Sequence, residues 1–192
     1  MSPQLSAAAT SGNASLIRRL LKKRGEDVDE RDGEGRTPVF FAAWYGHLDV
    51  VEILVKKAGA TVDLTHNDGT TPLIMAAHNN HLAVVKCLVE AGGSNVDQAD
   101  NSGDSPLAAS SQAGNREVVE LLLANGAKVN QARKADGVTP LNLSSISGHH
   151  EVVTLLLASG AKVDQASSDG TTSLKISSWQ GHLEVVNREG VL

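Results

Sequence analysis

One feature constrains this chain more than any other: it is periodic. The pairs Thr37-Pro38, Thr71-Pro72, Ser105-Pro106 and Thr139-Pro140 place successive prolines 34 residues apart, and Thr172-Ser173-Leu174 follows after 33 without a proline. Eight residues beyond these positions stand Gly46, Asn80, Gly114, Gly148 and Gly181, followed by His47, His81, Asn115, His149 and His182. An apolar block then returns as Val50-Val51, Val84-Val85, Val118-Val119, Val152-Val153 and Val185-Val186. The first four Val pairs lead into Ile53-Leu54-Val55, Cys87-Leu88-Val89, Leu121-Leu122-Leu123 and Leu155-Leu156-Leu157. A weaker copy (Gly12-Asn13, Leu16-Ile17, Leu20-Leu21) precedes them all. Self-similarity at such a fixed period signals an array of small supersecondary units.

Each unit has a physical reading. Thr or Ser offers a side-chain oxygen to cap a helix N-terminus, and proline suits the first helical position, where no N–H partner is lost. The spacing predicts a helix of about eight residues, such as 38–45, ended by a glycine that tolerates positive φ. Its interior is small (Ala42-Ala43, Ala76-Ala77, Ala108-Ala109, Ser144-Ser145), which lets neighbouring helices approach closely. The Val-Val block has helical spacing and predicts a second helix, stopped by Gly59, Gly92, Gly126 or Gly160. The polar segment from Val62 to Gly69 suits a hairpin-like turn. A helix pair of this size cannot bury its apolar face alone, so stacked copies are expected to share one core. The chain reads as one domain over 1–192, with units near 1–33 (an N-terminal cap), 34–67, 68–101, 102–135, 136–168 and an incomplete 169–192.

Composition narrows the function. Seventeen Lys and Arg stand against 22 Asp and Glu, a formal charge of −5 among 192 residues, which argues against a nucleic-acid partner. The single cysteine, Cys87, excludes an internal disulfide or a Cys-rich zinc site. No apolar run approaches the ~20 residues of a membrane span, so no membrane partner is expected. No basic start followed by an apolar run marks a leader, and an intracellular setting, cytoplasmic or nuclear, is expected. The sequons at Asn13 and Asn142 then read as chance.

The Gly-x-Thr-Pro-Leu phrases, the Gly-His steps and the Val-Val-x-Leu-Leu-Leu blocks resemble the ankyrin repeat family, over residues 5–186. No unit shows the Trp-Leu-Gly-Tyr pattern of the tetratricopeptide repeat, the rival of similar period. The resemblance implies an all-α solenoid of stacked helix-turn-helix units joined by β-hairpin-like turns. The family's phrase carries a histidine after Thr-Pro-Leu that ties each turn. That place holds Phe40, Ile74, Ala108, Asn142 and Lys175, which predicts less rigid turns. Arg188, Glu189 and Gly190 replace the last Leu block, so the final unit is expected to fray, as a polar cap or the edge of a longer array.

Sites of chemistry fail on spacing. His47, His81, His149 and His182 occupy equivalent places, and helices packed 8–10 Å apart cannot bring them to one ion; backbone hydrogen bonding is their expected role. Neither His78-Asn79-Asn80-His81 nor the adjacent His149-His150 supplies a metal-ligand set, and Cys87 stands where a core Ile or Leu belongs. Placing Gly103 sixth in a calcium loop would put Gln98 first and Ala109 last, where acids are needed. Gly33-Glu34-Gly35 belongs to a repeat turn. Arg18, Arg19, Lys22, Lys23 and Arg24 read as a solvated cap that could also meet phosphate or acidic surfaces. No cofactor and no enzymatic activity are expected.

The resemblance implies that partners bind at the turn tips and first-helix surfaces, a concave strip. The strip maps onto positions that vary while their neighbours repeat: Arg36, Trp44, Tyr45, Asn67, Asp68, Thr70, His78, Asn79, Asn101, Asp104, Gln112, Val138, Ile146, Trp179 and Gln180. Trp, Tyr and Arg are the usual interface anchors, and Trp44, Tyr45 and Trp179 are three of only five aromatics. The expected function is a non-enzymatic scaffold, monomeric, that docks another protein or peptide. The alternative is an inhibitory or targeting array of a larger protein such as a kinase or channel, motivated by the abrupt change after Val186. The resemblance further implies Asn130 as a hydroxylation acceptor, because Asp29, Asp63, Asp97 and Asp164 hold its place elsewhere.

Overall fold

Proline begins a helix wherever the sequence carries it within the repeat. The computed structural model describes residues 4–23, 27–180 and 182. Among them are eleven helices and no strand. They are α1 (Gln4–Thr10), α2 (Ala14–Leu20), α3 (Pro38–Tyr45), α4 (Leu48–Glu52, continued by a π-helical turn Ile53–Lys57), α5 (Pro72–His78) and α6 (Leu82–Lys86, continued by a π-helical turn Cys87–Ala91). The remainder are α7 (Pro106–Ala113), α8 (Arg116–Ala124), α9 (Pro140–Ile146), α10 (His150–Ala158) and α11 (Ser173–Gln180).

The caps are those the residue types dictate. The hydroxyls of Thr37, Thr71, Ser105 and Thr139 accept from the backbone N–H of Phe40, Ile74, Ala108 and Asn142 at 3.1–3.2 Å. Each cap is buried, so losing its oxygen costs about 1 kcal/mol. The small interiors of the first helices are buried too. Serine fits there because its hydroxyl returns to the helix: Ser110 donates to Pro106 O at 2.9 Å, and Ser144 and Ser145 to Leu141 O at 3.0 and 2.7 Å.

The chain forms two compact units, Met1–Asn95 and Val96–Leu192. In the first, α1 packs on α3 and α3 on α5, while α2 packs on α4. In the second, α7 packs on α9 and α9 on α11, while α8 packs on α10. Leu54 and Leu88 in the first unit, and Leu122 and Leu156 in the second, are among the largest fully buried side chains.

The constant 34-residue spacing has two unlike physical causes. Val50 to Gly59 and Val84 to Gly93 are nine residues, whereas Val118 to Gly126 and Val152 to Gly160 are eight. The extra residue is absorbed as a π turn, where Ala58 N–H donates to Ile53 O and Gly92 N–H donates to Cys87 O, five residues back. The left-handed stop after α6 is therefore Gly93 (φ 68°); Gly92, expected there, has φ −90°. The third repeat carries its extra residue in the turn instead: nine residues separate Asn130 from Thr139, against eight from Asp97 to Ser105.

Each turn is closed like a hairpin by a backbone bond across it: Asp32 N to Arg36 O, His66 N to Thr70 O, Asp100 N to Asp104 O, Ser167 N to Thr171 O, and Arg133 N to Val138 O across the longer one. Aspartates do the bracing that the family's histidine would do. Asp32 Oδ1 accepts from Glu34 N and Arg36 N, Asp100 Oδ1 from Ser102 N and Asp104 N, and Asp68 Oδ1 from Thr70 N. Asn142, in the histidine's own place, accepts from Thr139 N and completes a capping box. The expected fraying at Arg188, Glu189 and Gly190, and the basic Arg24, lie outside the described residues.

Candidate functional site: an aromatic and charged face

The repeated polar residues join one repeat to the next. His47 Nε2 donates to Thr10 O and His81 Nε2 to Trp44 O in the first unit, at 3.0 Å. His149 Nε2 to Gln112 O (3.1 Å) and His182 Nε2 to Ile146 O (3.0 Å) repeat the bond in the second. A carbonyl only accepts, so the proton sits on Nε2 and that nitrogen is not free to ligate. The ring lies over the glycine of the preceding repeat. A Cβ on Gly12, Gly46, Gly114 or Gly148 would stand 2.5–2.9 Å from it. This is why Gly and His recur together.

A second set of bonds explains the recurring Val-Asx. Asp29 accepts from Thr61 N and Oγ1, Asp63 from Asn95 N, and Asp97 from Lys128 N. Asn130 accepts from Lys162 N at 2.9 Å and donates to Gly160 O at 3.1 Å.

With those residues assigned to stacking, the varying ones remain. In the first unit they converge. Phe40, 2% exposed, makes edge contacts with Phe41 (6.2 Å between centroids) and Trp44 (5.9 Å), and stacks on His66 (6.0 Å). Trp44 stacks on Tyr45 at 5.7 Å, and Tyr45 on His47 at 6.2 Å. Arg36 lies 5.1 Å above the Phe41 ring, within cation–π range. Tyr45 is 48% exposed.

A line of charge borders these rings. Arg36 pairs with Asp32 at 2.8 Å and Glu34 at 3.0 Å; His66 pairs with Asp68 at 2.7 Å and Glu34 at 3.3 Å. The hydrogen bond to Asp68, aided by Glu34, raises the His66 pKa above its ordinary value. Burial opposes ionisation of Asp68, but bonds from Thr70 and His66 outweigh it and hold its pKa low. Asn67 is exposed, with its N–H on Glu34 O.

Of the residues expected on a docking strip, Arg36, Trp44, Tyr45, Asn67 and Asp68 gather here. Thr70 is buried and its side chain does not face solvent. His78 and Asn79 are exposed at the end of α5, Asn79 donating to Met75 O. In the second unit Asn101, Gln112 and Ile146 are exposed, Val138 is half-buried, and Trp179 is 76% exposed on α11. Gln180 ends α11, and its side chain lies outside the described residues. Asp104 faces Arg133 at 3.6 Å; burial of its carboxyl raises its pKa, and Oδ1 finds no hydrogen-bond partner.

Phe40, Phe41, Glu34 and His66 belong to this face without having stood out in the sequence. The signal was there: Phe40 and Trp44 are four apart on one helix, hence on one side of it. Among the described residues, no group of three or more His, Cys, Asp or Glu could hold a metal ion. Cys87 is buried, which raises its thiol pKa. No described helix is long and apolar enough to cross a membrane.

Comparison with known proteins agrees with this architecture. A family model described as ankyrin repeats (3 copies) matches residues 58–133 and 130–188. Another, ankyrin repeats (many copies), matches residues 5–55. No curated protein matches the chain. Among solved structures, the crystal structure of EF0377, an ankyrin repeat protein, superposes with a TM-score of 0.89 at 20% identity, covering 99% of this chain and 98% of that one.

Proposed function

Because the chain belongs to the ankyrin repeat family, whose repeats are general protein–protein interaction modules, we propose that it is a non-enzymatic binding module. The aromatic face of its first unit is the proposed docking site for another protein or peptide. The carrying observation is the exposed Tyr45 stacked on Trp44, supported from below by Phe40 and flanked by the Arg36–Glu34–His66 charges. Large amphipathic rings held rigid beforehand lose little entropy on binding. The mixed border suits a partner that presents an apolar side chain beside polar groups of both signs.

The test is crosslinking and mass spectrometry of partners captured by the wild type and by a Trp44→Ala, Tyr45→Ala double variant of unchanged melting temperature. Loss of the partners, about tenfold or more in recovered signal, is expected for anchor residues. Equal recovery would remove the site. Trp179→Ala, made separately, tests whether the second unit contributes. Asn130 stays the proposed hydroxylation acceptor; its two bonds to the next repeat use only the amide group, and mapping a modified mass to another residue would refute it.

A further inference from the structure

The first unit holds a second feature that the docking face does not use. Between α2 and the π turn at 53–57 lies an open cleft of about 400 Å³. Among the described residues, three cations line it, Arg18, Lys22 and Lys57, and no acidic side chain does. Leu21, Val28, Ile53 and Ala58 supply an apolar lining. Among the described residues, none of the three cations forms an ion pair. The like charges of Arg18 and Lys22 stand at i and i+4, an unfavourable pairing on a helix.

The next repeat supplies an internal comparison. The corresponding cleft, between α4 and α6, measures about 270 Å³ and is lined by Glu52, Lys56, Lys86 and Glu90. Its charges cancel, and Glu52 pairs with Lys56 at 2.6 Å in the favourable order. Arg18 thus occupies the place of Glu52, one repeat earlier. Lys57 is equally out of pattern. Two residues before the stop glycine, later repeats carry Ala91, Ala124 and Ala158. Arg18 and Lys57 thus add positive charge where the next repeat has Glu52 and Ala91, the place of Lys22 stays cationic there as Lys56, and the π turn brings Lys57 to the edge of the cleft.

Three exposed cations grouped beside an apolar lining favour an anion. A single phosphate is too small to fill a cleft of this volume. The guanidinium fork of Arg18 suits phosphate oxygens, and the two ammonium groups act as point charges. We propose that this cleft binds a compact organic polyphosphate, a carbon-framed molecule with two or more phosphate groups, either free or as a lipid headgroup.

Calorimetric titration of the full chain with inositol hexakisphosphate tests the proposal, with inorganic phosphate in parallel. The wild type binds the first probe and binds inorganic phosphate far more weakly. Arg18→Glu recreates the Glu-to-Lys order of the next repeat, and Lys57→Ala supplies the residue of later repeats, so both keep the fold. Each weakens binding about tenfold or more, while Lys86→Ala, in the neutral cleft, changes it less than about twofold. No binding by the wild type overturns the proposal, as does equal weakening by Lys86→Ala, the mark of attraction to net charge alone. Co-sedimentation with phosphatidylcholine vesicles, with and without phosphorylated phosphoinositides, then distinguishes the sources. Capture dependent on Arg18 assigns the headgroup, and titration without capture assigns the free molecule. Trp44→Ala, Tyr45→Ala leaves this binding unchanged, so the cleft and the docking face fail or stand separately.

Discussion

Glycine 46 shows how much a single position carries. Its φ of 77° alone disfavours a side chain, and a Cβ there would meet the His81 ring at 2.5 Å. Gly59 has a similar φ of 71° but open space around it. Gly59→Ala is therefore expected to cost about 1 kcal/mol and Gly46→Ala about 2 kcal/mol or more, read from urea unfolding midpoints. Adding His81→Ala to Gly46→Ala removes the clash and makes the pair non-additive. His66 carries a different prediction. Its pKa is raised in the folded chain, so its contribution is complete below 6.5 and is lost as pH rises through the folded value. Midpoints should fall as pH rises above 6.5, and His66→Gln should flatten that slope. The histidine in each Gly-His step was legible as a backbone ligand, because a spacing of one repeat excludes a shared ion. The role of His66 was not, because the side chains that pair with it come from Glu34 one repeat away and from the far side of its own turn.

At the scale of the element, the first helices were readable almost to the residue, since the cap, the proline and the stop are all local. The π turns were hidden by an arithmetic coincidence. Equal spacing between prolines conceals one extra residue in the helices at 53–57 and 87–91, and one extra in the turn after Asn130. Comparing the distance from each Val pair to its stop glycine would have exposed it. Deleting Ala58 should turn the π segment into ordinary helix, leaving the unfolding midpoint within about 1 kcal/mol of wild type. Deleting Leu121 from α8, which has no surplus residue, rotates the buried Leu122 out of register and should lose about 3 kcal/mol or more. Similar losses from both deletions would contradict the surplus. The Ala58 deletion also displaces Lys57, so weaker polyphosphate binding with intact stability is its companion signature.

For the molecule as a whole, periodicity outweighed identity: at 20% identity the superposition on another ankyrin repeat protein is nearly complete. What periodicity leaves open is the partner, because partner contacts fall where the pattern lapses. Stability in such arrays is close to a sum over repeats and their neighbour contacts. Leu5, Ile17 and Leu20 of α1 and α2 are fully buried against the following repeat. Removing residues 1–33 should lower the stability of the first unit by about 3 kcal/mol or more and increase light scattering through the face laid bare. The hidden insertions, of two kinds, carry a last consequence, for recombination within the gene. A crossover that joined the helix of the first repeat to the turn of the third would give a copy of 35 residues, and the reverse exchange one of 33. Each surplus residue is accommodated where it arises, so both recombinants retain the Gly-His and Val-Asx joints, and copy length is free to drift while the joints are kept.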